Sequence, residues 1–173
     1  MAGATTYHTY YQSPVGNLHL IGARKALLSI QFPSESQTRE PGEDWVRKDE
    51  IFTDIIQQLD QYFSGSRTEF SIPIELIGTE FQRKVWAALI EIPFGSTASY
   101  GEVATRIGQP TASRAVGAAN NANPIPIIVP CHRVIGADNS MTGFGGGVET
   151  KIRLLELENR FSSSLKAQGD LFY

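Results

Sequence analysis

The 173-residue chain has a single cysteine, Cys131, set in Pro130-Cys131-His132-Arg133-Val134 directly after the apolar run Ile125-Pro126-Ile127-Ile128-Val129. A thiol beside a histidine at the end of a buried segment suggests an activated nucleophile, because a free thiol titrates near ~8.5 and needs a base or a field to favour its thiolate. On its own, a lone cysteine is a small buried hydrophobe. If the segment is extended, adjacent side chains point to opposite sides, so His132 would reach the sulfur through a water. Glu158 is available as an orienting acid. It shares a helix face with Leu154, Leu155 and Phe161 and so interrupts a stripe that should be buried. A carboxylate aimed at a core needs a partner, and either a histidine or a structural salt bridge would serve. Between the two lies Gly143-Phe144-Gly145-Gly146-Gly147, which reads as a connector or as a loop whose bare amides face a substrate. It has neither the ending of a phosphate loop nor the dinucleotide spacing.

Composition narrows the chemistry. One cysteine forms no internal disulfide, and with His8, His19 and His132 scattered it supplies no close-spaced ligand pairs, so neither metal nor cofactor is expected. At 41% hydrophobic the chain can build a core, yet no apolar run approaches membrane-spanning length and the N-terminus lacks a basic segment leading into an apolar one. A cytoplasmic protein without membrane contact is expected. The net charge of -3 is uneven: residues 1–79 carry six Lys/Arg against ten Asp/Glu, whereas residues 80–135, which include the Cys-His pair, carry five against three. That leaves room for a modest anionic partner there, with limited electrostatic affinity.

The elements that must position these groups fall into two halves. Tyr7 to Tyr11, Leu18 to Ile21 and Leu27 to Phe32 read as an antiparallel meander. His8 and His19 lie within it as partly exposed strand residues without a role. After a polar loop, Asp49 can cap a helix carrying Ile51, Ile55, Ile56, Leu59 and Phe63, and the alternation of Phe70, Ile72, Ile74 and Leu76 predicts another strand. We place a boundary at Gly78, giving an α/β domain over 1–78, a second domain over 79–161 and a flexible tail over 162–173. In the second domain, capping boxes at Thr79/Gln82 and Ser99/Glu102 open two helices. A third, Thr111 to Ala122, is rich in Ala and Gly with Arg114 its one charge, so the last two helices form a helix-turn-helix candidate.

Taken together these segments closely resemble the O6-alkylguanine-DNA alkyltransferases. The matches run through Gly78-Thr79-Glu80-Phe81-Gln82, Val85-Trp86, Ser99-Tyr100-Gly101, Arg114-Ala115-Val116-Gly117, Asn123-Pro124, Pro130 to Val134 and Thr142 to Gly147. The first half matches more loosely, at Ser13-Pro14-Val15-Gly16 and Leu59 to Gly65. The resemblance implies an α+β fold: a small antiparallel sheet with helix, ribonuclease H-like, then a mainly helical, winged helix-turn-helix-like domain. It implies irreversible, single-turnover transfer of an alkyl group from O6-alkylguanine, with O4-alkylthymine as a further substrate, to Cys131. By position, His132 would take the thiol proton through water and Glu158 would orient His132. Tyr100 would help turn the target nucleotide out of the duplex, a base-flipping step, and Arg114 would fill the gap.

The helix bearing Ala112, Ser113, Ala115, Gly117 and Ala118 would enter the minor groove of double-stranded DNA, where small side chains fit. Val134, Phe144, Gly145, Asn123 and Pro126 would line or brace the pocket, with Phe144 standing where many relatives have tyrosine. The zinc-binding cysteines of some animal relatives are absent, which favours a bacterial-type member. A lesion-binding protein that does not react, or a cysteine hydrolase, are the readings this displaces. The last residues, Gln168-Gly169-Asp170-Leu171-Phe172-Tyr173, resemble the short peptide by which bacterial DNA-processing proteins dock on the replication sliding clamp, through Gln168, Asp170, Leu171 and Phe172.

Overall fold

A computed structural model describes residues 5–33 and 41–169, with side chains as far as Ser164. The α+β class expected from the sequence is what it shows. Strands β1 (Tyr7–Ser13), β2 (Gly16–Ala23) and β3 (Ala26–Gln31) form the meander, and the two-residue β4 (Val46–Arg47) adds to β1 in parallel, giving the order β3-β2-β1-β4. The β1–β2 turn has Gly16 at φ 114, a conformation that favours glycine. A short 3-10 turn, Asp49–Phe52, leads into α1 (Thr53–Phe63), whose buried Ile55, Leu59, Tyr62 and Phe63 pack toward the sheet.

Asp49 does not cap that helix. Its carboxylate instead accepts from Thr9 Oγ1 at 2.6 Å and Arg47 Nε at 3.3 Å, tying β1 and β4 to the helix start. Nor do residues 70–76 form a strand. Burial alternates as expected, with Phe70, Ile72, Ile74 and Leu76 facing inward. Pro73 has no N–H to give to a ladder, and pairing is limited to a bridge at Ile74, where Leu27 donates to Pro73 O and Glu75 donates to Leu27 O.

Both capping boxes form, at the starts of α2 (Glu80–Ile90) and α3 (Tyr100–Arg106). α3 follows β5 (Ala98–Ser99), and Gly108 at φ 73 turns the chain toward α4 (Ser113–Asn121). Trp86 fixes the packing of α2 on α4: it is 1% exposed and its indole N–H donates to Ala119 O at 2.8 Å. β6 (Val134–Ile135) pairs in parallel with β5, so the start of α3 and the exit of the Cys131 segment are held side by side. The buried apolar residues of the two halves form one continuous cluster, and Ile30 of β3 donates to Pro124 O across their junction.

The last helix, α5 (Val148–Gly169), continues past Phe161, so residues 162–169 are helical. The hydroxyls of Ser162, Ser163 and Ser164 donate back to Asn159 O and Arg160 O and so do not disrupt the turn. Of the proposed clamp peptide, Gln168 lies on this helix, while Asp170, Leu171 and Phe172 fall outside the described residues.

His8 and His19 are not partly exposed as expected. Both are buried, 3.0 Å apart, and His19 stacks on Tyr10. No helix among the described residues is long and apolar enough to cross a membrane.

Candidate active site

The apolar run before Cys131 is a turn and not an extended segment. Pro126 bridges to Val129, Val129 donates to Ile125 O, and Ile127 sits at φ 76, where a β-branched residue is strained by about 1–3 kcal/mol. Asn123 holds this turn closed from inside. Its side chain donates to Val129 O at 2.8 Å and accepts from Ile125 N at 3.0 Å. Cys131–Arg133 then forms a single 3-10 turn, which replaces the alternating geometry of an extended segment.

Cys131 is 4% exposed and forms part of a cavity of about 230 Å³ together with Asn123, Pro126, Phe144 and Gly145. Of the pocket residues expected from sequence, only Val134 does not line it. Val134 is fully buried, and its carbonyl accepts from Lys151 Nζ. The opposite wall was not anticipated: Ser29, Gln31 and Phe32 come from β3 and its end in the first half of the chain. Phe32 meets Phe144 edge-on at 5.4 Å and lies so close to Gly146 that a Cβ there would come within 2.6 Å of its ring.

Behind the cysteine lies a buried polar chain. His132 and Glu158 are both 0% exposed, with Nε2 2.7 Å from Oε1. Arg133 donates to the same carboxylate from Nε at 2.9 Å and Nη2 at 2.9 Å, and its Nη1 reaches Ile92 O. Burial alone would raise the Glu158 carboxyl, but His132 and Arg133 outweigh it and hold it at about 2. Burial pushes His132 below its ordinary value against the pull of Glu158, so the ring is neutral at pH 7. With Glu158 ionised, His132 donates from Nε2 and keeps its lone pair on Nδ1, which is buried and has no partner among the described residues. Burial also drives the Cys131 thiol up to about 11, while Asn123, Lys151 and nearby backbone groups pull it down. The resting pair is thiol and neutral imidazole, and the thiol becomes a nucleophile only as its proton leaves.

Tyr100 heads α3, and its hydroxyl donates to Thr142 O at 3.0 Å, at the base of the glycine loop. Lys151 Nζ donates to the same oxygen at 2.8 Å. On α4 and at Ala112 just before it, Arg114, Ala115 and Ala118 are exposed, Ala112, Ser113 and Gly117 are half-buried, and Val116, Ala119 and Asn120 face the core. A Cβ added at Gly117 would stand 3.7 Å from the Tyr100 ring, so a small residue there lets α4 rest on Tyr100.

Sequence reasoning missed Lys151, Arg133 and Phe32, as well as Asn120, whose amide donates to Cys131 O and Gly143 O at 3.4 Å, and Tyr62, whose hydroxyl donates to Glu158 Oε1. Lys151 was within reach of it, because Lys151, Leu154 and Glu158 share one helical face and a charge in a buried stripe is the signal that exposed Glu158. Among the described residues, no group of three or more His, Cys, Asp or Glu could hold a metal ion.

Residues 80–160 match the DNA-binding domain of 6-O-methylguanine DNA methyltransferase, and residues 6–76 match the ribonuclease-like domain of the same proteins. The methylated-DNA–protein-cysteine methyltransferase of Mycobacterium leprae is 52% identical over 84% of this chain and 88% of its own length. Its counterpart in Methanosarcina acetivorans is 47% identical over 88% and 97%. A crystal structure of Mycobacterium tuberculosis OGT in complex with DNA superposes with a TM-score of 0.83 at 46% identity, covering 90% of this chain and 94% of that one. On these matches, which span both halves, the chain belongs to the 6-O-methylguanine DNA methyltransferase family.

Proposed function

We propose that Cys131 is the acceptor in direct repair of DNA: it takes the alkyl group of an O6-alkylguanine, or of an O4-alkylthymine, that has been turned out of the duplex into the cavity beside Phe144. The thiol proton passes to Nδ1 of His132 through a water, the sulfur attacks the alkyl carbon, and the bond from that carbon to the base oxygen breaks. The base leaves as its anion and regains a proton, and the sulfur is left as a thioether. A thioether sulfur is a poor leaving group, so each chain acts once. The observation that carries the reading is a buried thiol in a cavity, backed by the neutral His132 and ionised Glu158. Intact mass after incubation with duplex containing O6-methylguanine tests it: one added methyl group located on Cys131 is expected, and a chain that binds the duplex but stays unmodified would overturn it.

The exposed small-residue face of α4 supports insertion into the minor groove of double-stranded DNA, with Arg114 taking the space the base vacates. Unstacking a base costs a few kcal/mol. Arg114→Ala is therefore expected to slow transfer from duplex by about 10–100-fold, while transfer from free O6-benzylguanine, which needs no flipping, changes by about twofold or less. Equal losses on both substrates would remove the role. A reduced free thiol fits a cytoplasmic setting.

The C-terminal peptide supports a further contact, recruitment to the replication sliding clamp through Gln168, Asp170, Leu171 and Phe172. A chain ending at Lys166 should lose clamp affinity and keep its alkyl-transfer rate. Equal clamp affinity of the two chains would exclude the contact.

A further inference from the structure

The carboxylate of Glu158 is crowded by five donors, and one of them comes from the other half of the chain. Besides His132, the two Arg133 groups and the Gly95 N–H at 3.0 Å, the hydroxyl of Tyr62 on α1 donates to Oε1 at 2.7 Å, and Tyr62 is 0% exposed. Oε1 is the same oxygen that receives His132. The Tyr62 ring cannot swing away, since Phe63, Phe70 and Phe94 pack around it with centroids at 5.2, 5.5 and 5.9 Å. Phe94 also lies 5.8 Å beneath the Arg133 guanidinium, so tyrosine and arginine share one aromatic support.

We infer that Tyr62 is a positioning residue for the Glu158–His132 pair, a hydroxyl from the sheet-bearing half that fixes Oε1 in place and draws charge away from it. The inference rests on His132 serving as the base for Cys131, the reading given above. Its physical consequence follows from how donors compete for one oxygen. Each donor on Oε1 withdraws charge that would otherwise strengthen the His132 bond and favour the imidazolium. The other groups acting on His132 are Arg133 and Lys151, both cationic and both opposing its protonation, and Cys131, neutral at pH 7. Tyr62 thus acts with them to keep His132 a neutral base near physiological pH. Burial and the Glu158 charge hold the Tyr62 hydroxyl protonated, so it remains a donor across the working range.

Tyr62→Phe in the full chain isolates the hydroxyl, because the ring and its packing are retained. Two measurements decide the matter. The chain has three histidines, so the Nε2–H proton of His132 can be assigned by NMR with His132→Gln as the reference. In Tyr62→Phe it should move downfield as the bond to Glu158 strengthens, and this needs no substrate. In single-turnover transfer from O6-methylguanine duplex, the acid limb should move to higher pH by about half a unit to one unit, an effect that a loss of packing alone would not produce. An unmoved Nε2–H signal would overturn the inference whatever happens to thermal stability. If native protein transfers no alkyl group, the functional reading fails, and the NMR result alone still decides the role of Tyr62.

Discussion

Cys131→Ser is expected to abolish alkyl transfer while leaving affinity for lesion-containing duplex within about twofold of native. Serine is nearly isosteric, and the site is defined by backbone and neighbours that the substitution does not touch: the turn braced by Asn123, the glycine loop and the exposed face of α4. What changes is the acidity and nucleophilicity of the reacting atom. Burial already pushes the Cys131 thiol up to about 11, so on the proposed mechanism even sulfur would react only as His132 accepts its proton. An alcohol is far less acidic, and the same neutral imidazole cannot supply the difference. The loss should be on the order of 10⁴-fold or more, as when an essential nucleophile is removed elsewhere. Intact mass after prolonged incubation with excess O6-methylguanine duplex, with a parallel binding titration, checks both halves of the expectation. A methylated Cys131→Ser chain would place the acceptor elsewhere.

Glu158 carries the second large effect, and here stability and chemistry separate. Glu158→Ala should destabilise the protein by about 3–5 kcal/mol, because Arg133 would stay buried without its counter-charge. Glu158→Gln keeps the shape but replaces one acceptor oxygen with an NH₂ group, a donor that would face other donors on either side and so set Arg133 and the His132 Nε2–H in competition for the one oxygen left. The histidine then loses the partner that fixes its tautomer, and transfer should slow by about 10²–10³-fold.

The acid behaviour has a definite sign. The folded carboxyl sits at about 2, below its unfolded value near ~4.3, so its contribution is complete above that unfolded value and disappears as pH falls toward 2. The amount is about 3 kcal/mol. His132, held below its ordinary value, adds a loss in the same direction that begins at higher pH, as the unfolded imidazole takes up a proton. Urea unfolding of native and Glu158→Gln chains at pH 3 and pH 6 should show a marked drop in the native chain and a smaller one in the variant. Equal drops would mean that Glu158 is not what fails in acid.

The parts of this site that were legible in the sequence were those announced by local patterns. Glu158 stood out because a carboxylate in a helical apolar stripe has to be explained, and both capping boxes formed because their partners are three residues apart. Tyr62 carried no such mark: a tyrosine on an apolar helix face reads as core, and its partner lies 96 residues away. Phe32 stayed hidden for the same reason, since only the tertiary junction brings β3 against the glycine loop. Where pattern misled, backbone chemistry was the cause. Residues 70–76 alternate like a strand, but Pro73 has no N–H to donate to a ladder and pairing stops at a single bridge. The run before Cys131 has a strand's composition, yet Asn123 folds it into a turn that forces Ile127 to positive φ.

The oxygen of Thr142 receives both the Tyr100 hydroxyl and the Lys151 ammonium. On the proposal that Tyr100 serves a turned-out nucleotide, its hydroxyl would first have to give up this bond, so that contact would be an exchange of one acceptor for another. Lys151 would still hold Thr142 O and Val134 O with Tyr100 turned away, so the start of the glycine loop would stay anchored to the exit of the Cys131 segment while the tyrosine hydroxyl is engaged elsewhere.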